Sequence, residues 1–363
     1  MKKTAYYLVT IIIVLGVLDI LSAITVRYFT GRGLLYVEQG DTGDYDDYLR
    51  QRDAVLGWPA QPYDPAERDS SGSRIIPAYP DPDQYPACVS LYGDSFTYGA
   101  EVDHEHAWSN ILSELLQCRV ANYGVGGYGT DQAYLRYLKN GRDRSDIVIL
   151  GHLSADIVRN VNQFRNLLSS GTNYGLKPRF IQDPEGHLEL IPLPEFTKDE
   201  YRAMVKEPEK YLPHEYFVRF DFPYLWSLFR SFDQFRMRLQ LRRRPLHFDF
   251  YRDDHPSGAL QVTGAIIERF AELAASRGQR PIILMIPTCE DLAYYHENGV
   301  WATGPLMELL KGGGWDVLEA GPGLMENLQG RDPCRLCYFD HFNEDGNRIL
   351  AEMVSAHIKS MKW

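Results

Sequence analysis

The sequence is poor in cysteine, poor in positive charge and almost without long apolar runs, and each shortage closes off a class of protein. Five cysteines in 363 residues are too few for a disulfide-stapled scaffold, and the odd number leaves at least one without a partner. In an oxidising compartment they allow one or two disulfides. Thirty-eight Lys and Arg against 49 Asp and Glu give a formal charge of −11, the wrong sign for gripping nucleic-acid phosphates along a broad face. No nucleic-acid partner is expected. The one basic concentration, Arg236, Arg238, Arg242, Arg243 and Arg244, reads as a solvated helix face. Cys334-Arg-Leu-Cys337 has the spacing of half a zinc site or a redox pair. No second CxxC or HxxxH completes it, and it does not open a helix after a strand. A local disulfide or two reduced thiols is the expectation there, with no metal and no cofactor.

One apolar run is long. Residues 5–26 (AYYLVTIIIVLGVLDILSAITV) carry a single charge, Asp19. At ~1.5 Å per residue they reach roughly 33 Å, enough to cross a bilayer core. Lys2 and Lys3 precede the run, which predicts a cytoplasmic N-terminus and an exported remainder. The small residues of Leu21-Ser22-Ala23 keep a cleaved signal peptide as the rival reading. The length of the run and its continuation past that point favour an uncleaved anchor over residues 1–30. Asp19 then belongs near an interface or against a partner helix.

Residues 31–86 are rich in Gly, Asp, Pro, Tyr and Ser without a sustained period, and read as a linker wrapping onto the domain surface. From residue 87 short apolar runs alternate with amphipathic ones. Strands are predicted over 87–92, 119–123, 146–150, 281–286 and 315–318, and helices over 107–117, 131–139, 259–276, 305–311 and 343–358. Strands apolar throughout belong to a parallel sheet covered on both faces, so the chain reads as a three-layer α/β/α sandwich preceded by one membrane helix. Between about 164 and 257 the alternation lapses into Pro-punctuated, aromatic sequence including Tyr211, Tyr216, Phe217, Phe220, Phe222, Tyr224, Trp226 and Phe229. That length calls for a mostly helical insertion, which shapes a cleft or forms a satellite core.

Ligands of open parallel sheets bind at the carboxyl ends of the strands, and three such ends are unusual here. Gly93-Asp94-Ser95 follows the first strand, where a serine can point its hydroxyl out of the sheet and offer its own N–H to an oxyanion. Asn122-Tyr-Gly-Val-Gly-Gly127 follows the second, where glycines let backbone N–H groups approach a substrate. Asp340-His341 precedes the last helix, from where an imidazole can reach the first strand. Each feature alone is weak; their order and placement together carry the reading.

In these residues the sequence resembles the SGNH/GDSL hydrolase superfamily over about 87–363, the insertion excluded. The resemblance implies a flavodoxin-like fold, Ser95 as nucleophile, oxyanion donors at Ser95 N–H and Gly127 N–H, and His341 as general base, followed by Asn343 and Gly346. Two positions depart from the family. Ala155 stands where a third oxyanion donor, an Asn side chain, is usual, so that donor is missing unless His152, Ser154 or Asn160 replaces it. Tyr338 stands where the acid three before the histidine is usual, which leaves Asp340 to orient the imidazole, or a Ser-His dyad or backbone carbonyl. The implied activity is ester hydrolysis, with a small O-acyl group such as acetyl on an envelope or extracellular glycan as substrate. A sugar hydroxyl as acceptor would make an O-acyltransferase, and loss of chemistry a glycan-binding relative.

Overall fold

The computed structural model describes residues 2–30, 45–167, 174–215, 222–230 and 244–361. Residues 216–221 of the aromatic stretch and Arg236, Arg238, Arg242 and Arg243 of the basic concentration lie outside the described residues. The strands are β1 (Ala87–Tyr92), β2 (Arg119–Asn122), β3 (Ile147–Leu153), β4 (Arg179–Gln182), β5 (Leu188–Ile191), β6 (Arg280–Ile286) and β7 (Val317–Glu319). Five of them form a parallel sheet in the order β2-β1-β3-β6-β7. Because β2 is added on one side of β1 and β3 on the other, the chain reverses its direction of sheet building at β1. The carboxyl ends of β1 and β3 therefore diverge into a crevice, the usual ligand position of such sheets.

Helices cover both faces, as the wholly apolar strands require. Thr130–Lys139, Ala259–Ser276 and Gly304–Gly312 pack on one side, with Tyr137, Ile267, Phe270 and Leu306 buried against Val148, Leu150 and Ile283. Trp108–Leu116, Ala320–Leu328 and Glu344–Ser360 pack on the other, with Trp108, Leu112, Leu350 and Val354 against Leu91, Ile149 and Leu284. The first and last helices of that layer are neighbours: Asn347 Oδ1 accepts from Trp108 N at 3.2 Å, and Trp108 Nε1 donates to the carbonyls of Phe96 and Thr97 at 3.1 and 2.9 Å. This contact brings the segment before the last helix beside the end of β1.

The α/β reading holds, and among the helices it did not foresee are Cys289–Asn298 and Ala320–Leu328. Cys289–Asn298 buries only Asp291 and Leu292, so its apolar stripe is too thin to read, although Thr288 and Asp291 form a capping box. Ala320–Leu328 opens on Gly321, Pro322 and Gly323, which look like breakers. A proline in the first turn loses no intrahelical hydrogen bond.

Residues 45–86 are more than a surface linker, because Tyr48, Leu56, Trp58, Arg74 and Ile76 are buried. The described part of the insertion contains an antiparallel hairpin, β4–β5, as well as the helix Lys198–Lys206. Its buried side chains Phe164, Leu193, Tyr201 and Met204 close with Tyr48 into a satellite core. Phe222, Trp226 and Phe229 stay exposed.

The apolar helix Lys2–Thr30 is long and apolar enough to cross a membrane over Lys3–Tyr28. The partner helix for Asp19 comes from the same chain. Asp19 Oδ1 accepts from Leu225 N at 2.9 Å, capping the short helix Tyr224–Arg230.

Candidate active site

Ser95 opens the four-residue helix Ser95–Tyr98 at the end of β1, and Asp94 caps it by accepting from Phe96 N at 2.9 Å and Thr97 N at 3.4 Å. As a first helical residue, Ser95 has no intrahelical acceptor for its own N–H, which leaves that donor for a ligand. Gly93 is required by space. A Cβ there would come within 2.0 Å of Thr97 Oγ1 and 2.8 Å of the Gly151 carbonyl, so the turn lies directly on β3.

His341 reaches this turn from a tight reversal in which Cys337 bridges Phe342 and Tyr338 N donates to the His341 carbonyl at 2.9 Å. Its Nε2 stands 2.8 Å from Ser95 Oγ, and its ring packs on Phe96 at a centroid distance of 4.9 Å. Two residues 246 positions apart thus share one hydrogen bond.

The acid that His341 meets is Glu101 and not Asp340. His341 Nδ1 lies 3.0 Å from Glu101 Oε1, whereas Asp340, its neighbour in the tight turn, projects to solvent. Tyr338, at the usual acid position, donates its hydroxyl to Glu344 at 2.7 Å. With Nδ1–H donated to Glu101, Nε2 is left to accept the serine proton.

Glu101 has a φ of 69°, a left-handed conformation that costs a non-glycine residue about 1–2 kcal/mol. Arg74 holds the segment in that shape. Its buried guanidinium donates Nη1 to the carbonyls of Tyr98 and Gly99 at 2.8 and 2.6 Å, and Nη2 to that of Val102 at 2.7 Å. Sequence reasoning missed both residues. No sequence signal singled out Glu101, because Asp103 and Glu105 share the loop that leaves the serine's own helix.

Gly127 adopts a φ of +77°, and a Cβ there would lie 2.6 Å from a Tyr174 ring carbon. Tyr174 stacks on Trp58 at 4.6 Å, and Trp58 Nε1 donates to the Gly126 carbonyl at 3.0 Å. The wrapping segment therefore shapes the glycine turn. Asn122 ties that turn to the serine helix, donating Nδ2 to Thr97 O at 2.8 Å and accepting from Gly124 N at 3.0 Å.

None of the three candidates to replace the missing amide is free. His152 is held between Thr130 Oγ1 at 2.7 Å and the Tyr251 hydroxyl at 2.9 Å. Ser154 donates to Asp291. Asn160 accepts from Asp131 N at 3.2 Å and donates to Thr263 Oγ1 at 2.9 Å. What lies behind the serine turn is Arg159, whose Nη1 joins Asp94 at 3.0 Å, the Tyr128 carbonyl at 2.8 Å and Asp156 at 2.7 Å. It fastens the turn, the glycine loop and the Ala155 segment together.

Burial pushes the His152 imidazole down to about 3, with His247 and Arg159 adding repulsion. The sign follows directly: the folded protein keeps this ring neutral while the unfolded chain protonates it near 6.5. Stability from this group is full above that pH and falls as pH drops toward 3, by about 1.4 kcal/mol per unit. Urea denaturation from pH 7 down to 4.5 should show the decline, and His152→Gln should flatten it.

Cys88 pairs with Cys118 and Cys289 with Cys337, leaving Cys334 as an exposed free thiol. The Cys334–Cys337 pairing is thereby corrected. The two residues flank a 3-10 turn, Pro333–Leu336, and Cys337 meets the start of the helix Cys289–Asn298 instead. That bond tethers the His341 reversal. Cys289→Ser with Cys337→Ser should lower the unfolding free energy by about 2–4 kcal/mol in denaturant melts and loosen the Ser95–His341 contact, lowering kcat more than it raises KM.

No family model matches the sequence, and no curated protein matches it. Among solved structures the chain is similar to a lipolytic G-D-S-L family protein from Veillonella parvula (12% identity, 75% of this chain and 98% of that one, TM-score 0.38). It is also similar to Axe2, an acetylxylan esterase from Geobacillus stearothermophilus (11% identity, 76% and 94%, TM-score 0.40). A third is LAE5, an alpha/beta hydrolase enzyme from the metagenome of Lake Arreo (12% identity, 77% and 98%, TM-score 0.41).

Proposed function

We propose that the chain is a serine acyl hydrolase with Ser95 as nucleophile, His341 as general base and Glu101 as the acid that orients it. The observation that carries this reading is the continuous hydrogen-bonded line from Ser95 Oγ through both His341 nitrogens to Glu101 Oε1, at 2.8 and 3.0 Å. His341 takes the hydroxyl proton as Ser95 attacks the ester carbonyl, and the N–H groups of Ser95 and Gly127 receive the oxyanion. The protonated imidazole returns its proton to the leaving alcohol. Water, deprotonated by the same imidazole, then releases the acid. With Ala155 at the position where the sequence resemblance implied an amide side chain, two backbone donors act alone. An absent donor is worth about 10²–10³ in kcat, which favours an activated small-acyl ester over an amide.

The proposed substrate is a small O-acyl group, acetyl first, on an envelope or extracellular glycan, with the apolar helix anchoring the domain on the outer side of a membrane. Two disulfides support an oxidising compartment, and Lys2 and Lys3 before the apolar run support the orientation. The exposed Phe222, Trp226 and Phe229, on the segment that docks at Asp19, suit a second contact with the bilayer. Full-length protein in detergent should release acetate from acetylated xylan and from p-nitrophenyl acetate, with the activity sedimenting with membranes in a cell lysate. Failure to release acetate from both substrates would overturn the hydrolase reading.

A further inference from the structure

A cavity of about 630 Å³ lies at the β2 edge of the sheet, between the wrapping segment and the helix Thr130–Lys139. Tyr63, Arg68, Ser70, Tyr123, Arg136 and Asn140 are among its walls. Its charge is unusual for a protein of net −11. Arg68 and Arg136 both face it, and among the described residues neither forms a salt bridge. Arg68 donates only to the carbonyls of Gly72 and Gly124, at 3.0 and 2.7 Å, and Arg136 to that of Gly72, at 3.0 Å. Nη1 of Arg136 is buried and makes no well-formed hydrogen bond, although the Arg136 guanidinium interacts with the buried Tyr128 hydroxyl. The other two ionic groups at the rim are neutralised, Lys139 by Asp53 at 2.6 Å and Asp69 by Arg119 at 2.7 Å.

Two half-buried and buried guanidinium groups sharing one carbonyl acceptor repel each other, and that repulsion adds to burial in bringing Arg68 down to about 10. An anion between them would relieve it. The Tyr63 ring, 5.5 Å from the Arg68 guanidinium and 5.3 Å from that of Arg136, offers a flat face against which a pyranose can lie. Ser70, Gln61 and Asn140 add polar side chains around it, while the Ser71 hydroxyl is engaged by Asp69 and Arg119. The cavity also adjoins the catalytic loop, because Tyr123 lines it and Gly124, held by Arg68, leads into the Gly127 turn.

We infer that this cavity is a subsite for an acidic sugar unit, its carboxylate between Arg68 and Arg136 and its ring against Tyr63, so that the glycan substrate is an anionic polymer. The identification as a substrate subsite rests on the hydrolase reading; the binding does not.

Binding is measured by calorimetry on the full-length Ser95→Ala protein in detergent, with tetragalacturonate, cellotetraose and inorganic phosphate as probes. Tetragalacturonate should bind about tenfold or more tighter than either of the others, and weaken as NaCl is raised from about 0.05 to about 0.5 M. Arg136→Gln should raise its Kd about thirtyfold. Tyr63→Ala, on the open wall, should raise it about fivefold without the risk to folding that a buried arginine carries. Equal affinity for cellotetraose, unchanged affinity in both variants, or phosphate binding as tight as the oligosaccharide would each overturn the inference. Because Ser95→Ala is used throughout, binding with no esterase activity in the wild type would sink the hydrolase reading alone.

Discussion

Ser95→Ala should reduce kcat for p-nitrophenyl acetate by about 10⁶-fold, to the level set by the oxyanion donors alone. The magnitude follows from how the site divides its labour. The hydroxyl lies at the end of β1 and touches an imidazole, through the 2.8 Å contact with His341 Nε2. Replacing it by a methyl group leaves Asp94 capping Phe96 and Thr97, and leaves the Arg159 link intact, so the turn keeps its shape. KM should therefore stay within about threefold and the melting temperature within a few degrees. The stopped assay and a thermal melt on the same preparation check both halves. A variant retaining wild-type kcat would place the nucleophile elsewhere.

Glu101→Gln should lower kcat by about 10²–10⁴ while Asp340→Asn leaves it within about twofold. The acid's work is to hold Nδ1–H, and so keep Nε2 lone-paired toward Ser95, and to stabilise the imidazolium formed in the transition state. A glutamine accepts through its oxygen but can also present its NH₂, which favours the wrong tautomer. Glu101 has a side chain 38% exposed, so water screens part of its charge. Its loss should fall short of the largest effects known for fully buried acids. The expected signature is a fall in kcat with little change in KM. The opposite ranking, with Asp340→Asn the damaging change, would mean the reversal at 338–341 rearranges in solution.

Arg74 makes a graded companion to that test, since it acts on Glu101 only through the backbone it pins. Its three donations to Tyr98, Gly99 and Val102 are what keep a non-glycine residue left-handed at position 101.

The pattern of apolar runs revealed the sheet because its central strands β1, β3 and β6 are largely buried on both faces and so read as nearly continuous apolar residues. The same pattern could not reveal β4–β5 or the helix Cys289–Asn298. Those elements bury few side chains, and their stability comes from caps and neighbours. The proposed nucleophile and base were legible as residue types, Ser95 in Gly93-Asp94-Ser95 at the end of the first strand and His341 before the last helix. Glu101 and Arg74 were not, because a positioning role depends on which loop the fold brings alongside, and the expected partner of His341 was sought in its own segment. The disulfides were illegible for the same reason. Cys334 and Cys337 are close in sequence, but Cys337 is nearer in space to Cys289.

The most direct measurement is to incubate the full-length protein with a fluorophosphonate and locate the adduct by peptide mass spectrometry. A single adduct on Ser95, formed much more slowly in His341→Ala and Glu101→Gln, is the result the Ser95–His341–Glu101 line predicts. An intact Ser95 peptide, or labelling that proceeds equally without His341, would contradict it.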